Sequence, residues 1–109
     1  MADLTTQELN AENAAPTLTS ASSGGDTYEN RRDAMLLVKN GDTAAKTVTL
    51  ASQVEAAPGV SPADHDVTVP AGDVALVSLQ GNGRFSDVDG RVQVSYSATT
   101  SVEVAAVSL

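Results

Sequence analysis

Apolar and polar residues alternate most regularly in the last third of the chain. In the run Arg91–Ser97, three large apolar residues alternate with polar ones, so one face of an extended strand is apolar. A second run, Ser101–Leu109, is apolar on both faces over its far half. Because only a short polar segment at 98–100 separates the two runs, the pattern predicts a terminal β-hairpin that the upstream strands must cover.

Shorter apolar runs upstream are separated by turn-forming residues. The continuous run Ala34–Lys39 is followed by Asn40-Gly41-Asp42, and Lys46–Ser52 alternates again, which predicts a second hairpin. Gln53–His65 has no strand period and predicts a long connection, for which a crossing between two sheets is one option. Further short strands are predicted at 16–21, 66–69 and 74–79, with a Pro70–Asp73 turn before the last.

These elements amount to about seven strands with no stretch long enough for a convincing helix. The predicted fold class is all-β, an antiparallel β-sandwich, and both jelly-roll and immunoglobulin-like topologies fit it. Residues 1–14 are predicted to be an N-terminal arm, and residues 15–109 the β-sandwich domain. The arm is expected either to fray or to be ordered by contact with another subunit.

Composition makes the predicted core thin. Hydrophobic residues are 41% of the 109 positions, but most are alanine and valine, and aromatics are only 3%. Ordering the backbone costs about 1–2 kcal/mol per residue, so many small buried side chains leave little margin. We therefore expect self-association or a partner surface to supply part of the stability.

Charge and residue types exclude several functional classes. The net charge of −8, without a basic cluster, disfavours nucleic acid as a partner. Cysteine is absent, so no disulfide or thiolate metal site is expected. No apolar run approaches the roughly 20 residues needed to span a bilayer, and no membrane association is expected. The acidic, lysine-poor composition suits either a very salty environment or an ordinary acidic protein.

Few residues are candidates for chemistry. His65, flanked by aspartates, is expected to be a solvated loop residue. Asp87 and Asp89 precede Gly90 as in a fragment of a calcium loop, but position twelve of such a loop would be Ala98 instead of glutamate. They are weak metal candidates, and a turn before a strand is the favoured interpretation. No catalytic residue and no cofactor site are predicted, and the protein is not expected to be an enzyme.

Three segments carry a resemblance to a known family: MLLVKNGDTAAKTVTL, DVTVPAGDVALVSL and RFSDVDGRVQVSYSATTSVEVAAVSL. They resemble small virion proteins encoded near the major capsid gene of tailed double-stranded DNA viruses, over Ala34–Leu109. The most specific parts are the VKNG hairpin, the VPAGD turn and the SDVDGRVQVSYS entry into the terminal hairpin. Such proteins are similar to capsid decoration, or cement, proteins, which are β-sandwich modules bound to the outside of the shell. The chain departs from the pattern in its acidic surface and its glycine-rich loop Leu79–Arg84.

The resemblance implies a virion structural protein that decorates and stabilises the capsid shell. Its expected partners are the major capsid protein and further copies of itself, with a trimer favoured, and its location is the capsid surface after synthesis in the host cytoplasm. Two alternatives are a head–tail joining or tail component, and a host-binding β-sandwich adhesion module. Few aromatics argue against the last, since sugar platforms usually stack on Trp or Tyr.

The expected interface lies where strands are apolar on both faces. The candidate interface residues are Met35, Leu36, Leu37, Val38, Val107 and Leu109. An aspartate at Val104, on the inward face, is expected to abolish the fold. An aspartate at Val107, on the opposite face, is expected to spare the fold and, if a neighbouring subunit covers that face, to weaken assembly.

Overall fold

The computed structural model of the chain describes residues 2–12, 14–53 and 64–108. Within these ranges the chain forms ten strands, a short 3-10 turn at Gly83–Phe85 and no α-helix. The strands are β1 Ala2–Leu4, β2 Gln7–Glu8, β3 Thr19–Ser20, β4 Asp26–Glu29, β5 Ala34–Asn40, β6 Lys46–Leu50, β7 His65–Val69, β8 Val74–Val77, β9 Arg91–Tyr96 and β10 Val102–Ser108. The predicted all-β class is confirmed. The strands that the sequence did not predict are β1, β2 and β4.

The strands form two sheets of five that pack as a sandwich. Sheet A has the order β1-β4-β9-β6-β7, and sheet B has the order β2-β10-β5-β8, with β3 also paired to β10. The pairings of β1 with β4 and of β2 with β10 are parallel, while all other pairings in the described ranges are antiparallel. Both sheets are therefore mixed: β3 to β10 form the predicted antiparallel sandwich, and the two parallel pairings come from β1 and β2.

The strand order is that of a jelly roll. The chain pairs β3 with β10, β4 with β9, β5 with β8 and β6 with β7, all antiparallel. The eight strands β3 to β10 thus form one long two-stranded antiparallel ribbon. The ribbon is rolled up so that its successive strand pairs lie alternately in sheet B and sheet A. An immunoglobulin sandwich would instead place its first two strands side by side in one sheet. Of the two topologies that fitted the sequence, the structure has the jelly roll.

Both predicted hairpins are wrong in their connectivity. The strands on either side of Asn40-Gly41-Asp42, β5 and β6, lie in different sheets, and so do β9 and β10. The polar segments between them are corners where the chain crosses the sandwich. An Asn-Gly sequence favours a tight reversal but does not decide whether the two strands then pair or stack. Most of the long connection predicted at Gln53–His65 lies outside the described residues. The strands before and after it, β6 and β7, pair within sheet A.

The buried Asn40 side chain and the backbone of Gly41 bond the corners of the chain to one another. Asn40, at the end of β5, is 0% exposed. Its Nδ2 donates to the backbone carbonyls of Ala44, Val69 and Pro70 at 2.9, 3.0 and 3.3 Å. The next residue, Gly41, donates its backbone N–H to the carbonyl of Ser101 at 2.8 Å. The β5–β6 corner is therefore bonded to the β7–β8 corner and to the β9–β10 corner.

The segment predicted as an N-terminal arm lies along one flank of the sandwich. Its strand β1 extends sheet A beside β4, and after two residues β2 extends sheet B beside β10. Both pairings are parallel, as expected if the short segment keeps one direction while it changes sheets. Residues 2–8 thus find their strand partners within this chain.

The core between the sheets is built mainly from valine and leucine. Its fully or nearly buried members are Leu4, Tyr28, Ala34, Leu36, Val38, Val48, Leu50, Val69, Val77, Phe85, Val92, Val94, Val102, Val104 and Ala106. Successive side chains of a strand point to opposite faces, so every second residue of β5, β9 and β10 enters this core. Because nearly all these side chains are small, the core is held by many modest contributions.

Candidate interaction surface

An uncovered apolar surface lies on the outer face of sheet B, next to its β8 edge. Val74 and Leu76 are 56% and 60% exposed, while the residues between and after them, Ala75 and Val77, turn inward. The neighbouring strand β5 pairs Leu37 with Leu76 and the exposed Lys39 with Val74, so a cation borders the apolar residues. We call Val74, Leu76, Leu37 and Met35 the β8 surface. Leu37 and Met35 are half-buried and continue its apolar character along β5.

The structure separates the predicted interface residues into two groups. Met35 and Leu37 face outward, as an interface requires. Leu36 and Val38 are 0% exposed in the core, because the β5 side chains alternate between the two faces. These two residues cannot meet another subunit without opening the sandwich, which corrects the prediction for them.

Val107 and Leu109 have different outcomes. Val107 is only 1% exposed, although it lies on the face of β10 opposite Val104 and Ala106. Its strand is flanked by β5 on one side and by β2, through the pair Val107 and Gln7, on the other. Its 1% exposure shows that it is covered within the single chain, so it is not available as the interface residue that was predicted. Leu109 lies outside the described residues.

The β8 edge also carries backbone groups without partners in the described ranges. The N–H of Asn40 donates to the carbonyl of Asp73 at 2.9 Å, which fixes the direction of the backbone groups on both strands. Because these groups alternate in direction, Ala75 and Val77 face β5, whereas Val74 and Leu76 face away from the sheet. The free edge of β8 therefore presents two N–H and two C=O groups beside two exposed apolar side chains.

The weak metal candidates form a turn. The Oδ1 atom of Asp87 accepts the backbone N–H groups of Asp89 and Arg91 at 2.8 and 3.0 Å, and Oδ2 accepts from Gln93. These bonds, the one from the Arg91 N–H foremost, hold the pKa of Asp87 below its usual value. Gly90 has a φ of +75°, which glycine adopts without strain. The carboxylate oxygens of Asp87 thus bond the turn and the start of β9.

Other ionisable side chains are also engaged in structural bonds. Lys46 Nζ lies 2.8 Å from Asp42 Oδ2, and this hydrogen bond is the chief cause of the lowered pKa of Asp42. The buried carboxylate of Asp26 accepts the Tyr96 hydroxyl at 2.6 Å. Burial and this bond raise the pKa of Tyr96.

His65 is exposed at the start of β7. Within the described ranges, no group of three or more His, Cys, Asp or Glu side chains is placed to hold a metal ion.

A groove of about 380 Å³ opens where the N-terminal segment crosses the sandwich. It is lined by residues of 2–7, of 17–20 and of the centre of β10. Across it, the side-chain amide of Gln7 bonds the backbone of Thr17 at both N–H and C=O, at 2.8 and 2.9 Å. Its lining is mostly alanine and threonine with Asp3 as its one ionisable side chain, so it offers no cluster of charged groups for catalysis.

The sequence did not single out Val74 and Leu76. The run Val74–Leu79 predicts a strand, but its pattern does not say which members are covered. One feature of the sequence does point to these residues: the predicted strand carries no charge, although exposed edge strands are usually charged. This feature has meaning only once β8 is known to lie at the edge of a sheet.

Comparisons of the chain with protein-family models, with curated proteins and with solved structures gave no match. The described ranges contain no helix that is long and apolar enough to cross a membrane.

Proposed function

We propose that this protein is a non-enzymatic structural protein of a virus particle that decorates and stabilises the capsid shell. The observation that carries the proposal is the β8 surface, which leaves Val74 and Leu76 more than half exposed on a chain of net charge −8. Exposed apolar patches on a polar surface mark sites of protein–protein contact. The resemblance of Ala34–Leu109 to virion proteins supplies the partner, the major capsid protein, beside further copies of the chain.

The aromatic residues support this function over adhesion. Jelly rolls recur among viral capsid proteins and lectins, although a fold alone does not define a function. A sugar platform usually stacks the sugar on an exposed aromatic ring. Tyr28 and Phe85 are buried, and Tyr96 is half-buried with its hydroxyl bonded to Asp26. The three aromatic residues of the chain are thus committed to the interior or to a structural bond.

The proposed mechanism is the addition of buried interface where shell subunits meet. An interface of standard size buries about 800 Å² on each partner. A small module that contacts two neighbouring capsomers resists their separation without any chemical step. Apolar contact suits this role for an acidic protein, because it does not depend on ion pairs that salt would screen.

The test is the copy number of the protein in purified virus particles, measured by quantitative mass spectrometry against the major capsid protein. Decoration predicts a fixed ratio to the capsid hexamers, and so hundreds of copies. About a dozen copies, as expected for one closed ring at a single vertex, would favour a head–tail joining role. Absence of the protein from the particle would overturn the proposal.

A further inference from the structure

We propose that β8 is a homotypic interface, through which two copies of this chain pair their β8 strands antiparallel about a two-fold axis at Ala75. Sheet B then continues from one copy into the other. The inference rests on the self-association part of the proposed function, for which it names the surface and the partner.

The backbone of β8 is self-complementary in this register. With the axis at Ala75, Val74 of each copy lies opposite Leu76 of the other. These two residues have the backbone groups that face the free edge, so each pair exchanges two N–H···O=C bonds. All four edge-facing groups of each copy are then satisfied. A shift by one residue would place outward-facing side chains opposite inward-facing ones, which the pleat does not allow.

The same register brings the exposed side chains together. Val74 and Leu76 point to the outer face, and directly opposed side chains of an antiparallel pair lie on one face about 4.5–5.5 Å apart. Two Val–Leu pairs, one on each side of the axis, cover the apolar side chains that are 56% and 60% exposed in the single chain. The patch thus becomes the centre of a contact.

Charge favours β8 over the other strands at sheet edges. Proteins protect exposed edges with charged side chains. Sheet A ends in β1, which carries Asp3, and in β7, which carries His65 and Asp66. The opposite edge of sheet B is lined by the chain's own β2 and β3. The strand β8 has the sequence VALV, without charge, on a chain that carries −8.

The small size of the contact predicts a weak dimer. Pairing four residues buries less than the roughly 1,200 Å² at which stable interfaces begin, so the dimer should form only at high concentration or on a crowded surface.

The nearest acidic residue is Asp73, and its two copies would lie roughly 13 Å apart along the strands. That separation exceeds the Debye length of about 3 Å at 1 M salt. Association should therefore strengthen as salt is added.

The first test is sedimentation equilibrium of the full chain over a concentration series at low and high salt. Leu76→Lys should weaken dimerisation at least tenfold, because it places a charge at the contact. The matched control is Val88→Lys, which makes the same change of charge at a residue that is 101% exposed in the Asp87–Gly90 turn. It should dimerise as the wild type does. Equal weakening by both variants, or a wild type that stays monomeric at millimolar concentration in high salt, would overturn the proposal.

The second test measures the register. The chain has no cysteine, so Ala75→Cys introduces a single thiol at the axis. Non-hydrogen-bonded pairs of an antiparallel ladder have Cα atoms about 4.5 Å apart, within the range that a disulfide accepts. Under mild oxidation this variant should form covalent dimers at least tenfold faster than the control Val88→Cys. Equal rates would contradict pairing at Ala75.

These outcomes are distinguishable from a failure of the proposed function. An oligomer that persists unchanged in Leu76→Lys would overturn the β8 interface and leave self-association through another surface. Absence of the protein from purified particles would overturn the virion role and leave the dimer measured in solution.

Discussion

The two flanks of the sandwich are stabilised in different ways. On the first flank, residues 2–8 add strands to both sheets, and side chains fasten them. Arg91 Nη2 donates to the carbonyl of Leu4 at 2.9 Å, and Thr27 Oγ1 donates to Asp3 at 2.6 Å. On the second flank, Asn40 binds the β7–β8 corner, and the outer side of β8 has no strand beside it in the described ranges.

The two flanks differ in whether the chain covers its own sheet edge. The first flank covers its β10 edge with the chain's own N-terminal segment, so Val107 is buried although it lies outside the main core. The second flank has no such cover in the described ranges, and Asn40 bonds its β7–β8 corner from inside. An apolar edge that remains bare on the second flank can pair with another chain.

The largest expected effect compares one substitution on the two flanks. Val107→Asp should destabilise the fold by about 4 kcal/mol or more, because it buries a charge without a partner. Val74→Asp should change the monomer's stability by no more than about 0.5 kcal/mol, since that side chain is more than half exposed. Urea unfolding of dilute protein, followed by circular dichroism, measures both. The expectation from sequence that Val107→Asp spares the fold is thereby replaced, and similar midpoints for the two variants would contradict the comparison.

A smaller effect is expected at the anchor of the second flank. Asn40→Ala should cost about 2–4 kcal/mol, because three backbone carbonyls lose a buried donor. The matched control is Asn30→Ala, whose amide bonds the carbonyl of Asn82 and the hydroxyl of Ser86, each at 2.8 Å, but at a half-exposed site. It should cost about 1 kcal/mol. Equal costs in urea unfolding would show that the corner is not held by Asn40.

The smallest effects separate the two tyrosines. Tyr96→Phe should cost about 1.5–3 kcal/mol, because Asp26, which also accepts the backbone N–H of Ala2 at 3.2 Å, loses its hydroxyl donor. Tyr28→Phe should be neutral within about 0.5 kcal/mol or slightly stabilising, since the buried Tyr28 hydroxyl has no hydrogen-bond partner in the described ranges. Thermal unfolding of the two variants measures the difference, and a large loss in Tyr28→Phe would reveal a partner for that hydroxyl.

The Tyr28 hydroxyl should also make the stability of the fold depend on pH in the alkaline range. Burial raises the pKa of Tyr28 from 10.0 to about 12. The folded state therefore keeps the phenol protonated after the unfolded chain has begun to lose the proton, so stability is full below pH 10 and falls as pH rises towards 12. Tyr28→Phe should make this decline shallower. Urea midpoints at pH 9 and pH 11 measure it, and an unchanged slope would contradict the burial of the Tyr28 hydroxyl.

The candidate surface was only partly predictable. The sequence predicted an apolar strand at Met35–Val38, and an interface was inferred there. The apolar pattern alone could not say which face of the sheet is covered. In the structure Leu36 and Val38 lie in the core, and the exposed apolar surface includes Val74 and Leu76, which were not predicted. Their exposure depends on β8 being the last strand of sheet B, and neighbours along a sheet are not encoded in the strand's own residues.

The sequence by itself determined the all-β class and most of the strands, because period-two alternation and turn residues act within a few neighbouring positions. Only the tertiary structure decided which strands pair. The Asn40-Gly41-Asp42 corner and the 98–100 corner reverse the chain in either a hairpin or a crossing, and the choice depends on burial against strands far along the chain. The polar strand Asp26–Glu29 shows the same limit, since its burial comes from its place between β1 and β9. Local pattern fixes the conformation of a segment, whereas long-range burial fixes its partners.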